Sequence, residues 1–141
     1  MTRQVILRVV AKLILPFILL FALYVQFHGD YGPGGGFQAG VIFAAGFVLY
    51  ALVMGPRAAR RVAPSRFVEI LCAIGVLIYA GTGVLTMVRG GNFLDYGALN
   101  HHDPVHGQHW GILTIELGVG ITVAAVMITI FFAFADRERQ K

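Results

Sequence analysis

Two carboxylates interrupt otherwise apolar runs of this 141-residue chain, Glu69 and Glu116. Glu69 lies two residues into its run and at helical spacing from Arg66, so it can snorkel to an interface or pair with that arginine. Glu116 lies six residues past Trp110, a natural interface anchor, and so is about 9 Å deeper at 1.5 Å per residue. An ionisable group at that depth points to an ion path, the alternative being a structural hydrogen bond to a neighbouring helix. Burial disfavours a charged carboxyl, which poises it to take and release protons, and its hard oxygens also suit an alkali cation. Arg89, at the same end, offers a third outcome: an ion pair that would make Glu116 structural.

A second group gathers His101, His102, Asp103, His106 and His109. His102 and His106 have the i, i+4 spacing of metal ligands on a helix. Pro104 between them and Gly107 after them argue against a helix there, so the segment reads as a solvated or subunit-facing loop rather than a metal site. Histidine titrates near neutral pH and can collect protons at an ion entrance. His109, and His28 at the end of the first run, therefore join Glu116 as candidates for an ion path.

The stretch from His28 to Gly40 holds six glycines in thirteen residues. Such a backbone can take positive φ values and approach another backbone closely. It reads either as a tight turn between helices or as a docking surface for a neighbouring subunit, with Pro33, Gly34, Gly35, Gly36 and Phe37 as its centre. No Lys-Ser/Thr follows the glycines, which excludes a phosphate-binding loop.

The elements that carry these groups follow from composition. Hydrophobic residues make up 57% of the chain and charged residues 13%, against about 25% charged in a soluble domain. So small a domain could not hide that much apolar surface. The chain therefore reads as an all-α membrane protein. A hydrocarbon core needs about 20 apolar residues per helix, and four runs qualify: residues 9–28, 37–55, 67–88 and 110–135. Pro16 should kink the first. Tyr24 to His28 follow that run without a small-residue cleavage pattern, so it reads as a retained helix and not a signal peptide. The connections are short, leaving one membrane domain over residues 1–141.

Ten of the eleven Lys and Arg residues fall on one side of these spans, and only Arg89 falls on the other. The positive-inside rule then places both termini in the cytoplasm and the glycine and histidine loops outside. The net charge of +4 thus orients helices and gives no reason to expect nucleic acid. The lone Cys72 reads as a small packed hydrophobe. No Walker, GxSxG, HExxH or paired-cysteine motif is present, so the chain is read as no enzyme, with no cofactor and no resident metal.

Small residues form a stripe on the fourth run (Gly111, Gly118, Thr122, Ala125, Thr129), and the third offers Gly75, Tyr79, Thr82 and Thr86. These look like interfaces for more than four helices. Glu116 lies about 120–160° around the helix from the first stripe. One deep carboxylate, without broken helices, suits part of a larger assembly better than a self-sufficient transporter.

His28, the Pro33-Gly34-Gly35-Gly36-Phe37 run, Gly40 in the second span and the Gly107-Gln-His-Trp-Gly111 stretch together resemble the MnhB (MrpB) family, one of the small subunits of the Mrp-type multisubunit Na+/H+ antiporter. The resemblance covers the whole chain. It implies a small accessory subunit of a bacterial plasma-membrane complex that exchanges sodium ions for protons, with large partner subunits similar to the proton-pumping subunits of respiratory complex I. A related subunit of membrane-bound hydrogenase-type complexes is the alternative within the same family. From another class comes a haem-binding membrane anchor. Against it, every histidine sits at or beyond the helix ends, too shallow for a ligand pair inside a bundle.

Overall fold

The computed structural model describes residues 2–29, 32–100 and 102–138. Five α-helices carry the chain: α1 (Thr2–His28), α2 (Gly36–Met54), α3 (Pro56–Val62), α4 (Ser65–Val88) and α5 (Pro104–Glu138). The described residues contain no strand. Four of the helices, all but α3, are long and apolar enough to cross a membrane. The fold is thus the all-α, four-span architecture expected from the sequence.

The boundaries have local causes, and two differ from expectation. α1 runs as one helix through Pro16. Glycines at positive φ bracket α2, Gly35 at +115° and Gly55 at +93°, so the chain turns sharply at both ends. The connection after α2 is not plain loop: Pro56 opens the short helix α3 at its first position, where a missing N–H costs nothing. α5 starts at Pro104, so Pro104 opens the histidine segment's helix instead of breaking it. Asp103 supplies the cap, its Oδ1 accepting from the His106 N–H at 3.2 Å, as short polar side chains do at helix starts.

The helices form a curved row in the order α1–α2–α5–α4. α5 packs between α4 and α2, α2 packs on α1, and α1 touches α5 only slightly. Missing side chains set these approaches. On the α4 side, a Cβ at Gly75 would stand 2.7 Å from the Gly118 carbonyl oxygen, and one at Gly118 would stand 2.9 Å from that of Gly75. Backbones this close exchange dispersion contacts that larger residues would forbid. The two small-residue stripes therefore meet within this chain where Gly75 and Tyr79 face Gly118 and Thr122. On the α2 side, Gly40 stands against the Gly120 carbonyl oxygen, at 2.7 Å from where its Cβ would be.

One end of the row carries most of the basic residues. There the core of Ala44, Ala51, Ala125, Ile128 and Phe132 meets Ala59 and Ala63. The Arg60 guanidinium lies 4.3 Å over the Phe132 ring and pairs with Asp136, while also donating to the Ser65 hydroxyl. Arg66 and Glu69 are both exposed, and among the described residues the ion pair at this end is that of Arg60 with Asp136. The opposite, histidine end is closed by a packed loop. Buried Thr86 accepts the Leu94 N–H at 3.0 Å, and Arg89 donates to the Leu99 carbonyl oxygen.

Candidate functional site

The glycine loop folds back on the helix that precedes it. The last carbonyls of a helix lack partners within it. Here the Gly32 N–H donates to the His28 carbonyl and the Gly35 N–H to the Val25 carbonyl, both at 3.1 Å. A Cβ at Gly34 would lie 2.9 Å from that Val25 oxygen, so the loop can lie this flat only because it lacks side chains. Gly35, at φ 115° and ψ 176°, is the residue before α2, a conformation that is essentially glycine's alone.

Onto this hinge comes Glu116. A Cβ at Gly29 would overlap both of its carboxylate oxygens, and one at Gly35 would stand 2.9 Å from Oε1. One residue further on, a Cβ at Gly36 would overlap the Glu116 carbonyl oxygen and stand 3.0 Å from its Cα. Both the side chain and the backbone of Glu116 are thus seated where α1 ends and α2 begins. The first turn of α2 presents unpaired N–H groups and the positive end of its dipole, which favours a carboxylate there. Glu116 is half-buried.

Of the three ion-path candidates, Glu116 and His28 lie at the α1–α2 hinge, and His109 lies further along α5. His28 is half-buried, stacks on Tyr24 at 5.1 Å and precedes Gly29. His109 lies seven residues before Glu116, which returns it to within about 20° of the same direction on α5 and sets it about 10 Å nearer the histidine end. It is half-buried beside Trp110, ring centres 6.4 Å apart. His102 and His106 are exposed. Around them Asn100 Oδ1 accepts from the His102 and Asp103 N–H groups at 3.1 and 3.2 Å, so the acidic and amide side chains here shape a turn. His101, Asp30 and Tyr31 lie outside the described residues. In the neighbouring loop, burial raises the Tyr96 phenol above its ordinary value, with Tyr79 adding to the effect.

Of the glycine-loop residues, Gly35 and Gly36 are buried against this chain's own α5, whereas Pro33 and Phe37 face outward, Phe37 64% exposed. Arg89 is engaged by the Leu99 carbonyl. Sequence reasoning passed over two participants. Gln26, 7% exposed on α1, places its Oε1 against Gly120, one turn beyond Glu116. Its only sequence signal is that it interrupts an apolar run. Gly29 gave no signal apart from the other glycines, because its importance depends on α5 arriving beside it.

A row of four helices long and apolar enough to cross a membrane, with a carboxylate seated on the hinge between the first two, defines a multi-pass membrane protein. Residues 6–129 match the family model described as a domain related to the MnhB subunit of Na+/H+ antiporter, and the chain belongs to this MnhB family. Its relatives include a Staphylococcus haemolyticus protein whose provisional name is antiporter subunit mnhB2, 34% identical over 134 residues and 94% of each chain. A Staphylococcus aureus (strain Newman) protein with the same provisional name is 35% identical over the same share of both chains. These relatives do not favour the hydrogenase-type or haem-anchor alternatives.

Proposed function

We propose that this chain is an accessory subunit of a multisubunit sodium/proton antiporter, and that it contributes the Glu116 hinge to the path of the transported ions. The observation that carries the second part is the position of the Glu116 carboxylate against Gly29 and Gly35, with His28 beside the hinge and His109 on the same face of α5. A carboxylate there can exchange a proton with an arriving cation, and histidines nearer the end can pass protons towards it. The chain serves transport rather than enzymatic catalysis and works as a single membrane domain. Its partners are the other antiporter subunits, the large complex-I-like ones among them, and it docks to a neighbour through the outward-facing Pro33 and Phe37 of the glycine loop.

In this reading the basic end faces the cytoplasm of a bacterial cell and the histidine end faces outward, an orientation supported by the ten-to-one distribution of Lys and Arg. Deleting the chain should abolish sodium/proton exchange in everted vesicles, and restoring it should bring back both exchange and co-purification of the large subunits. Exchange that persists at full rate without the chain would refute the subunit role. Cysteines placed at Gly34 and His102, after replacing Cys72, should react with an impermeant thiol reagent added outside intact cells. Labelling from the cytoplasmic side alone would reverse the orientation.

A further inference from the structure

Between α1 and α4, over the α2–α5 pair, runs an apolar groove of about 620 Å3 lined by all four long helices. Its sides are aliphatic and aromatic, with Leu19, Phe43, Leu71 and Ile121 at mid-length. Along α5 it extends from Leu117 to Ile128, about 16 Å at 1.5 Å per residue. The groove is open along one side, so a partner helix about 10 Å across could lie only along its mouth and not within it. A narrower, flexible apolar chain fits.

Polar groups mark only its ends. Gln26 lies at one end and Tyr50 towards the other, near the rim formed by Val62, Ala63 and Phe67. Arg61 immediately precedes that rim and Arg66 falls within it, between Ala63 and Phe67; both are exposed. Arg60, their neighbour, is already committed to Asp136 and Ser65. Two exposed arginines, with no hydrogen bond or ion pair among the described residues, therefore belong to the chain segment that forms the mouth of this apolar slot, at the end where a lipid headgroup would lie. Guanidinium groups recognise phosphate by paired, charge-assisted hydrogen bonds, and basic pockets between spanning helices select anionic headgroups.

We propose that the groove holds one acyl chain of an anionic phospholipid whose phosphate is bound at the rim by Arg61 and Arg66. The second acyl chain stays in the bilayer, and Tyr50 lies at the level where tails give way to headgroups. The bound tail fills the space that α1 and α4 leave open and so becomes part of the subunit's packing.

The test uses the assembled complex containing this chain. Equilibrated in micelles with equal phosphatidylglycerol and phosphatidylcholine and then washed, it should retain phosphatidylglycerol in excess, counted by mass spectrometry. Arg61→Gln and Arg66→Gln should each weaken retention at this site about fivefold. Ala124→Phe, which fills the groove, should remove the site, while Arg89→Gln, an exposed arginine at the opposite end of the helices, should leave it intact. In the otherwise unaltered complex, a photo-crosslinking residue at Leu71 should label lipid. Equal retention of both lipids would overturn the proposal. So would unchanged phosphatidylglycerol in the rim and groove variants, or labelling of another subunit from Leu71.

Discussion

The two ends of α5 each carry a carboxylate, and they are used differently. Asp136, at the basic end, meets the Arg60 guanidinium, which also lies over the Phe132 ring. Glu116, towards the histidine end, meets the backbone of a glycine hinge. The first arrangement joins α3 to α5 through side chains, the long arginine above all, that can adjust. The second has no slack on the glycine side, because Gly29, Gly35 and Gly36 bring main chain without side chains up to Glu116. The ends of α2 repeat the contrast. Gly35 and Gly55 both adopt positive φ, but a Cβ at Gly55 would meet nothing within 4 Å, whereas one at Gly35 would stand 2.9 Å from the Glu116 carboxylate. The basic end is a joint that tolerates change; the hinge is a fitted seat.

Substitutions should separate the two in a definite order. Gly36→Val is expected to do most damage, because its Cβ would overlap the Glu116 carbonyl oxygen and backbone cannot rotate away. A loss of about 3 kcal/mol is expected, the upper range for overpacking, read as a collapse in the amount of chain recovered with the complex. Gly29→Ala should cost about 1–3 kcal/mol through its clash with the carboxylate alone. If so, the double variant Gly29→Ala/Glu116→Ala should recover thermal stability relative to Gly29→Ala, and an additive loss in that cycle would break the assigned contact.

Gly35→Ala should lower the melting temperature of the complex more than Gly55→Ala. Both introduce backbone strain of about 1–2 kcal/mol, but only the former adds crowding. Equal effects would erase the distinction between the ends of α2. The smallest change should come from Asp136→Asn. With the Arg60 and Asp136 side chains 30% and 47% exposed, that pair contributes about 1 kcal/mol or less, so exchange activity should stay near the unaltered level.

Much of this was legible in the chain itself. Four apolar runs gave the spans, and the depth of Glu116 past Trp110 singled it out. The glycines between His28 and Gly40 announced a close approach, although not what approaches. That information is long-range, since Gly29 and Glu116 are far apart in sequence and meet only because α5 packs beside the α1–α2 hinge. For the same reason the stripes at Gly75 and Gly118 looked like surfaces awaiting other helices when they are each other's partners. Arg60 and Asp136, 76 residues apart, were invisible as a pair. Pro104 is a different case, because its signal was local: an aspartate before a proline is a helix start as readily as a break, and the structure makes it a start.

Participation of the Glu116 carboxylate in ion exchange is tested most directly by Glu116→Gln. Glutamine keeps the size and hydrogen-bonding capacity of the side chain and removes its titration. Sodium/proton exchange should be measured across pH in vesicles containing a matched quantity of assembled complex. Normal assembly is expected, with exchange lost or its pH profile displaced. Assembly and exchange both at the unaltered level across the whole pH range would contradict that role, and would leave Glu116 a packing residue of the hinge.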